Sequence, residues 1–146
     1  GSVVTQVRYG DRVASPIIQP GQADIILAFE LLEAYRWLPY LAPEGKVIVN
    51  TQEINPMPVI TGMALYPKDA LDHIQQTAAT TVALDALEIA RAAHNPKGVN
   101  VALIGVLSTM MDIPETIWLD VLKEKVPAKF LEANLQVFQA GRNAVG

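Results

Sequence analysis

Two short apolar runs separated by a helical pattern constrain the fold of this chain more than any other feature. The first run is Ile25 to Phe29, and the second is Val47 to Val49. Short continuous apolar runs are typical of strands that are covered on both faces of a sheet. The intervening residues 30–41 carry apolar side chains at helical spacing: Leu31, Leu32, Tyr35 and Leu38. A strand, a helix and a second strand in this order predict a βαβ crossover and therefore a parallel sheet.

The residues before this unit alternate in the manner of paired strands. Residues 3–8 read Val-Val-Thr-Gln-Val-Arg, and Gly10-Asp11 is a tight-turn sequence. Residues 12–18 then return, with Pro16 arguing for an edge strand. The pattern predicts an N-terminal β-hairpin.

Further short elements are predicted in the middle of the chain. Residues 63–66 favour a short strand, and residues 80–84 form a β-branched strand pattern. Pro67 is well suited to a helix start, and the buried stripe of that helix would be Ala70, Leu71 and Ile74. Asp85 is expected to cap the next helix, since Glu88 follows three residues later.

The last third of the chain is predicted to be helical. Residues 99–111 are apolar nearly all round, which indicates a buried helix, and Gly105 would let a neighbouring element approach closely. Two helices follow, starting near Pro114 and Pro127. Their predicted inward-facing residues are Ile117, Trp118, Val121 and Leu122 in the first, and Phe130, Leu131, Leu135 and Phe138 in the second.

These elements predict an α/β fold: a Rossmann-like three-layer domain with a parallel sheet core, an N-terminal β-hairpin and C-terminal helices. We expect residues 1–146 to form one domain, because that length suits a single hydrophobic core. Hydrophobic residues make up 51% of the chain and charged residues 18%. That composition excludes intrinsic disorder, because it can bury ample apolar surface.

Charge and composition also exclude several classes of function. The formal net charge is −4 and the basic residues are scattered, so we predict no nucleic-acid partner. The longest apolar runs, such as residues 101–107, are too short to span a bilayer, so we predict no membrane partner. With no visible signal peptide, the expected location is cytoplasmic. The absence of cysteine removes disulfides, thiolate catalysis and cluster-binding motifs.

Three common catalytic and nucleotide-binding motifs are missing from the chain. The nine glycines are never spaced as in GxGxxG or GxxxxGK[ST], and no GxSxG is present. The two histidines, His73 and His94, are isolated and supply too few ligands for zinc. We therefore predict no catalytic, cofactor-binding or metal-binding residue in this chain.

Glu30, Asn50 and Thr51 are the candidate site residues. Glu30 follows the first buried strand, and Asn50 and Thr51 end the second, so all three would line the crevice at the carboxyl ends of parallel strands. Ligands and partners bind doubly wound sheets at such crevices. The alternative is that Glu30 and Glu33 only complement a helix dipole, and the spacing does not choose between these interpretations.

Several segments resemble stretches of one known family, in the same order. Residues 1–10 are similar to RGGSVVSHVRIG, and residues 15–18 to SPLI. Residues 23–34 are similar to ADVLLAFEPLEALR, and residues 45–51 to GGTVIVNT. The family is the small, Rossmann-like subunit of 2-oxoacid:ferredoxin oxidoreductases.

The second half continues the resemblance. Residues 100–107 are similar to NVVLLGAL, and residues 129–141 to KFLELNLKAFELG. This part is most similar to the β subunits of indolepyruvate ferredoxin oxidoreductases. The γ subunits of the pyruvate and 2-oxoglutarate enzymes are close alternatives, and a stand-alone α/β module that binds a small anion or nucleotide is a further one.

The resemblance implies a complex that oxidatively decarboxylates a 2-oxoacid to its acyl-CoA and passes electrons to ferredoxin. It implies thiamine diphosphate, iron–sulfur clusters and coenzyme A in the assembled complex, with the thiamine and the clusters held by a large partner subunit. This chain would be scaffold and interface, inactive alone. Family members carry a Gly-rich GxGGQG turn upstream of the matching stretch, so we expect the chain to be an N-terminally truncated form.

Overall fold

The structure is a computed structural model that describes residues 2–145. The described chain divides between Thr81 and Val82 into two compact units. The sequence-based expectation of one domain over residues 1–146 stays a prediction, and its end residues Gly1 and Gly146 lie outside the described range.

The first unit contains the predicted parallel crossover. Strand β1 (Ala23–Ala28) leads into helix α1 (Leu31–Trp37), a 3-10 turn (Leu38–Tyr40) and strand β2 (Leu41–Asn50). β1 and β2 are parallel, with Ile26 opposite Val47 and Ala28 opposite Val49. Strand β3 (Thr80–Leu84) completes a sheet in the order β1-β2-β3. The predicted α/β class is therefore confirmed.

The helix in the crossover is shorter than the sequence pattern predicts. α1 ends at Trp37, and the chain tightens into the 3-10 turn, because Pro39 has no N–H to donate back along the helix. β2 begins at Leu41, and Pro43 to Gly45 lies within it instead of in a helix-ending loop. The register shifts there, from Ala23 opposite Leu41 to Ile25 opposite Lys46, so the extra residues are absorbed by a bulge.

The predicted N-terminal β-hairpin is wrong. Residues 2–22 contain no strand or helix. Their two arms are joined by side chains instead of a backbone ladder: the Arg8 guanidinium donates to the carbonyls of Ser15 and Ile17, and the Gln6 side-chain oxygen accepts from the Ile18 N–H. The reason is burial, because the segment is almost entirely exposed and an isolated hairpin is marginal in water.

The rest of the first unit consists of a loop and two helices. Helices α2 (Met57–Ile60) and α3 (Ala70–Thr77) lie between β2 and β3. Of the predicted buried stripe, Ala70 and Ile74 are buried and Leu71 is half-buried. The strand predicted at residues 63–66 is wrong, because the N–H groups of Met63 and Ala64 both donate to the carbonyl of Pro58 and close a turn.

The second unit is helical around one buried helix. Its helices are α4 (Ala86–Ala92), α5 (Val99–Ser108), α6 (Glu115–Lys125) and α7 (Ala128–Asn143). Asp85 caps α4 as predicted, with its carboxylate accepting from the Glu88 N–H at 3.0 Å. α5 packs most extensively on α7, and a Cβ added to Gly105 would lie 2.2 Å from the carbonyl oxygen of Phe138. The predicted close approach at Gly105 is confirmed.

The predicted inward stripes of the last two helices are only partly correct. Trp118 and Leu122 are half-buried and Phe138 is fully buried, whereas Ile117, Val121 and Phe130 are about half exposed. Within the unit, α6 packs mainly on α7. Among the described helices, none is long and apolar enough to cross a membrane.

Candidate functional site

The structure brings the ends of β1 and β2 together, as the crevice prediction requires. The Asn50 side-chain amide donates to the carbonyl of Phe29 at 3.1 Å, and the Leu31 N–H donates to the carbonyl of Gln52 at 3.0 Å. Asn50 is 1% exposed, Glu30 is 7% exposed and Thr51 is half-buried. The ends of the two strands are therefore tied together by buried polar groups, and Thr51 is the most accessible of the three candidates.

The Glu30 carboxylate accepts three hydrogen bonds. As the N-cap residue of α1, it accepts from the Glu33 N–H through Oε2 at 2.9 Å. Its other oxygen, Oε1, accepts from the Ile54 N–H at 3.0 Å and from the Tyr66 hydroxyl at 2.5 Å. The ion pairs found among residues 2–145 do not include this carboxylate. Two backbone N–H groups and the Tyr66 phenol thus stabilise the Glu30 carboxylate, as a cation does in an ion pair.

Tyr66 is the partner that sequence reasoning missed. Burial, followed by the hydrogen bond to Glu30 and its charge, raises the pKa of the Tyr66 phenol above its ordinary value. The phenol therefore stays protonated and remains the donor to Glu30. Tyr66 lies 36 positions from Glu30 in sequence, and the only sequence signal for its role was a Tyr-Pro pair at a helix start.

Glu30 Oε1 therefore accepts a hydrogen bond from each end of the segment 54–66, which we call the clamped loop. The loop contains no charged residue. Five of its large apolar side chains expose more than half of their surface: Ile54 56%, Met57 66%, Ile60 65%, Met63 79% and Leu65 91%. The sequence signal for such a surface was an uncharged segment containing Pro56 and Pro58, which lack the N–H needed for hydrogen bonds in a sheet.

The polar groups of this site hold segments of the chain together. The Glu30 carboxylate is buried and accepts hydrogen bonds on both oxygens, and the Tyr66 phenol is held in its neutral form. The described residues contain no group of three His, Cys, Asp or Glu side chains that could hold a metal ion. The hydrogen bonds of this site order the surface that follows β1 and β2.

A cleft of about 520 Å³ in the second unit is lined by Arg142, by other polar side chains and by the apolar Met110 and Val145. The guanidinium donates to the Ser108 hydroxyl at 2.7 Å and lies 3.5 Å from a carboxylate oxygen of Glu115. Ser108 in turn donates to the carbonyl of Gly105 at 2.6 Å. The positive charge is thus engaged within the unit and joins α5, α6 and α7.

Relatives of the chain are found by sequence and by structure. Residues 1–144 match the family described as pyruvate ferredoxin/flavodoxin oxidoreductase. The chain is 36% identical to the indolepyruvate oxidoreductase subunit IorB of Thermococcus kodakarensis, over 99% of this chain and 74% of that protein. It is 35% identical to the protein of the same name from Pyrococcus horikoshii, with the same coverage.

A solved structure shares the fold. It is the gamma subunit of a keto/oxoacid ferredoxin oxidoreductase from Geobacter sulfurreducens PCA, with a TM-score of 0.61 and 19% sequence identity. The superposition covers 87% of this chain, which spans 66% of that one. Together with the match over residues 1–144, these relatives confirm the resemblance found in the sequence: the chain belongs to the pyruvate ferredoxin/flavodoxin oxidoreductase family.

Proposed function

We propose that the chain is a subunit of a 2-oxoacid:ferredoxin oxidoreductase whose substrate is indolepyruvate. The observation that carries the proposal is the identity of 32–36% to four indolepyruvate oxidoreductase subunits, each aligned over nearly all of this chain. The reaction is the oxidative decarboxylation of the 2-oxoacid to its acyl-CoA, with electrons passed to ferredoxin. Such a complex works in the cytoplasm.

The cofactors of this reaction belong, in our proposal, to a large thiamine- and cluster-binding subunit. The residues of this chain do not fit them: the sequence has no cysteine to bind an iron–sulfur cluster. In residues 2–145 no cluster of metal-ligating side chains could bind the cation of a diphosphate cofactor. Coenzyme A enters the same scheme as a substrate of the assembled complex. The chain contributes scaffold and interface.

Glu30, Asn50 and Thr51 serve that interface in different ways. Glu30 and Asn50 are buried and act by fixing the backbone that follows β1 and β2. Thr51 is half-buried, so its hydroxyl can contact a partner directly. The geometry supports this role because the buried side chains of Glu30 and Asn50 both form hydrogen bonds to neighbouring segments of the chain.

Reconstitution tests the proposal. The full-length subunit would be co-expressed with a large thiamine- and cluster-binding subunit from the same organism, and 2-oxoacid-dependent reduction of methyl viologen would be measured with and without coenzyme A. We expect a complex that is active only when both chains are present, with kcat/KM for indolepyruvate above that for pyruvate and 2-oxoglutarate.

Three outcomes would contradict the proposal in different ways. Preference for pyruvate or 2-oxoglutarate would replace the substrate and keep the family role. Full activity or bound clusters in this chain alone would overturn the scaffold role. No complex with the large subunit would favour a stand-alone module, which tight binding of a nucleotide or an acyl-coenzyme A by calorimetry would then identify.

A further inference from the structure

We draw no further inference here: the strongest candidate, the exposed apolar surface of the clamped loop in the first unit (residues 54–66), carries none because nothing in the structure shows what covers it.

Discussion

Replacing Glu30 with glutamine should destabilise the first unit by about 2–3 kcal/mol. A carboxamide has one acceptor oxygen, so either orientation leaves the N–H of Glu33 or of Ile54 facing an NH₂ group. Loss of a helix N-cap costs about 1 kcal/mol. The bond from Tyr66 also changes from charge-assisted to neutral, which removes roughly another 1 kcal/mol, and an unpaired buried N–H adds to the cost.

The measurement is urea unfolding followed by tryptophan fluorescence. The chain has two tryptophans, Trp37 in the first unit and Trp118 in the second. In a Trp118→Phe background, Trp37 reports on the first unit, and the change in midpoint at constant slope gives the free energy of unfolding.

Glu33→Gln is the matched control for this substitution. Glu33 lies in the first turn of the same helix, its side chain is 30% exposed, and it forms an i,i+3 ion pair with Arg36 at 2.9 Å. Exposed pairs of this kind contribute at most about 0.5 kcal/mol. If Glu30→Gln and Glu33→Gln changed the free energy of unfolding by amounts within 0.5 kcal/mol of each other, the clamp reasoning would be refuted.

Three further predictions follow from the contacts of both units. Because the folded-state pKa of Tyr66 is raised, the stability of the first unit should be full below the unfolded pKa near 10 and fall as pH rises past it; Tyr66→Phe should flatten this decline in urea midpoints measured from pH 8 to 11. Gly105→Ala should destabilise the second unit by about 1–3 kcal/mol, because the new Cβ meets the Phe138 carbonyl, as read by Trp118 fluorescence. Asp85→Ala should remove about 1 kcal/mol by uncapping α4, measured in the same way.

Each of these three predictions can be contradicted by a specific result. An unchanged decline of midpoint with pH in Tyr66→Phe would show that other groups cause it. Gly98→Ala is the control for Gly105, since its nearest contacts are side-chain atoms of Asn95 and Val137 at 3.0 Å and not backbone atoms, and equal costs would refute the backbone-clash argument. Asp120→Ala, which lies within α6 and away from a helix start, should cost under 0.5 kcal/mol; a similar cost for Asp85→Ala would contradict the capping role.

Local patterns predicted much of the architecture correctly. The crossover from β1 through α1 to β2 could be predicted because two buried runs and a helical stripe are properties of adjacent residues. The cap at Asp85 needs a partner only three residues away. Gly105 was correctly predicted as a point of close approach, since a glycine in an apolar helix has few other uses.

The errors arose where burial by distant residues decides the outcome. Alternation in residues 3–18 is compatible with a hairpin, but nothing covers that segment in the described structure, so side-chain bonds from Arg8 and Gln6 replace a ladder. The apolar stripe of α6 predicts burial of Ile117 and Val121, yet both are about half exposed in the unit, where α6 packs mainly on α7.

The sequence by itself determined the α/β class, the parallel crossover, the family resemblance and the lack of any thiolate ligand, because these depend on residue identity and short-range spacing. Only the tertiary structure decided what Glu30 does. Its partners Ile54 and Tyr66 are 24 and 36 positions away. From the sequence, the carboxylate could cap a helix or line a crevice. In the structure it caps α1 and also binds both ends of an exposed loop. Contacts between residues so distant in sequence form only when packing of the whole unit brings their segments together, and no local pattern encodes them.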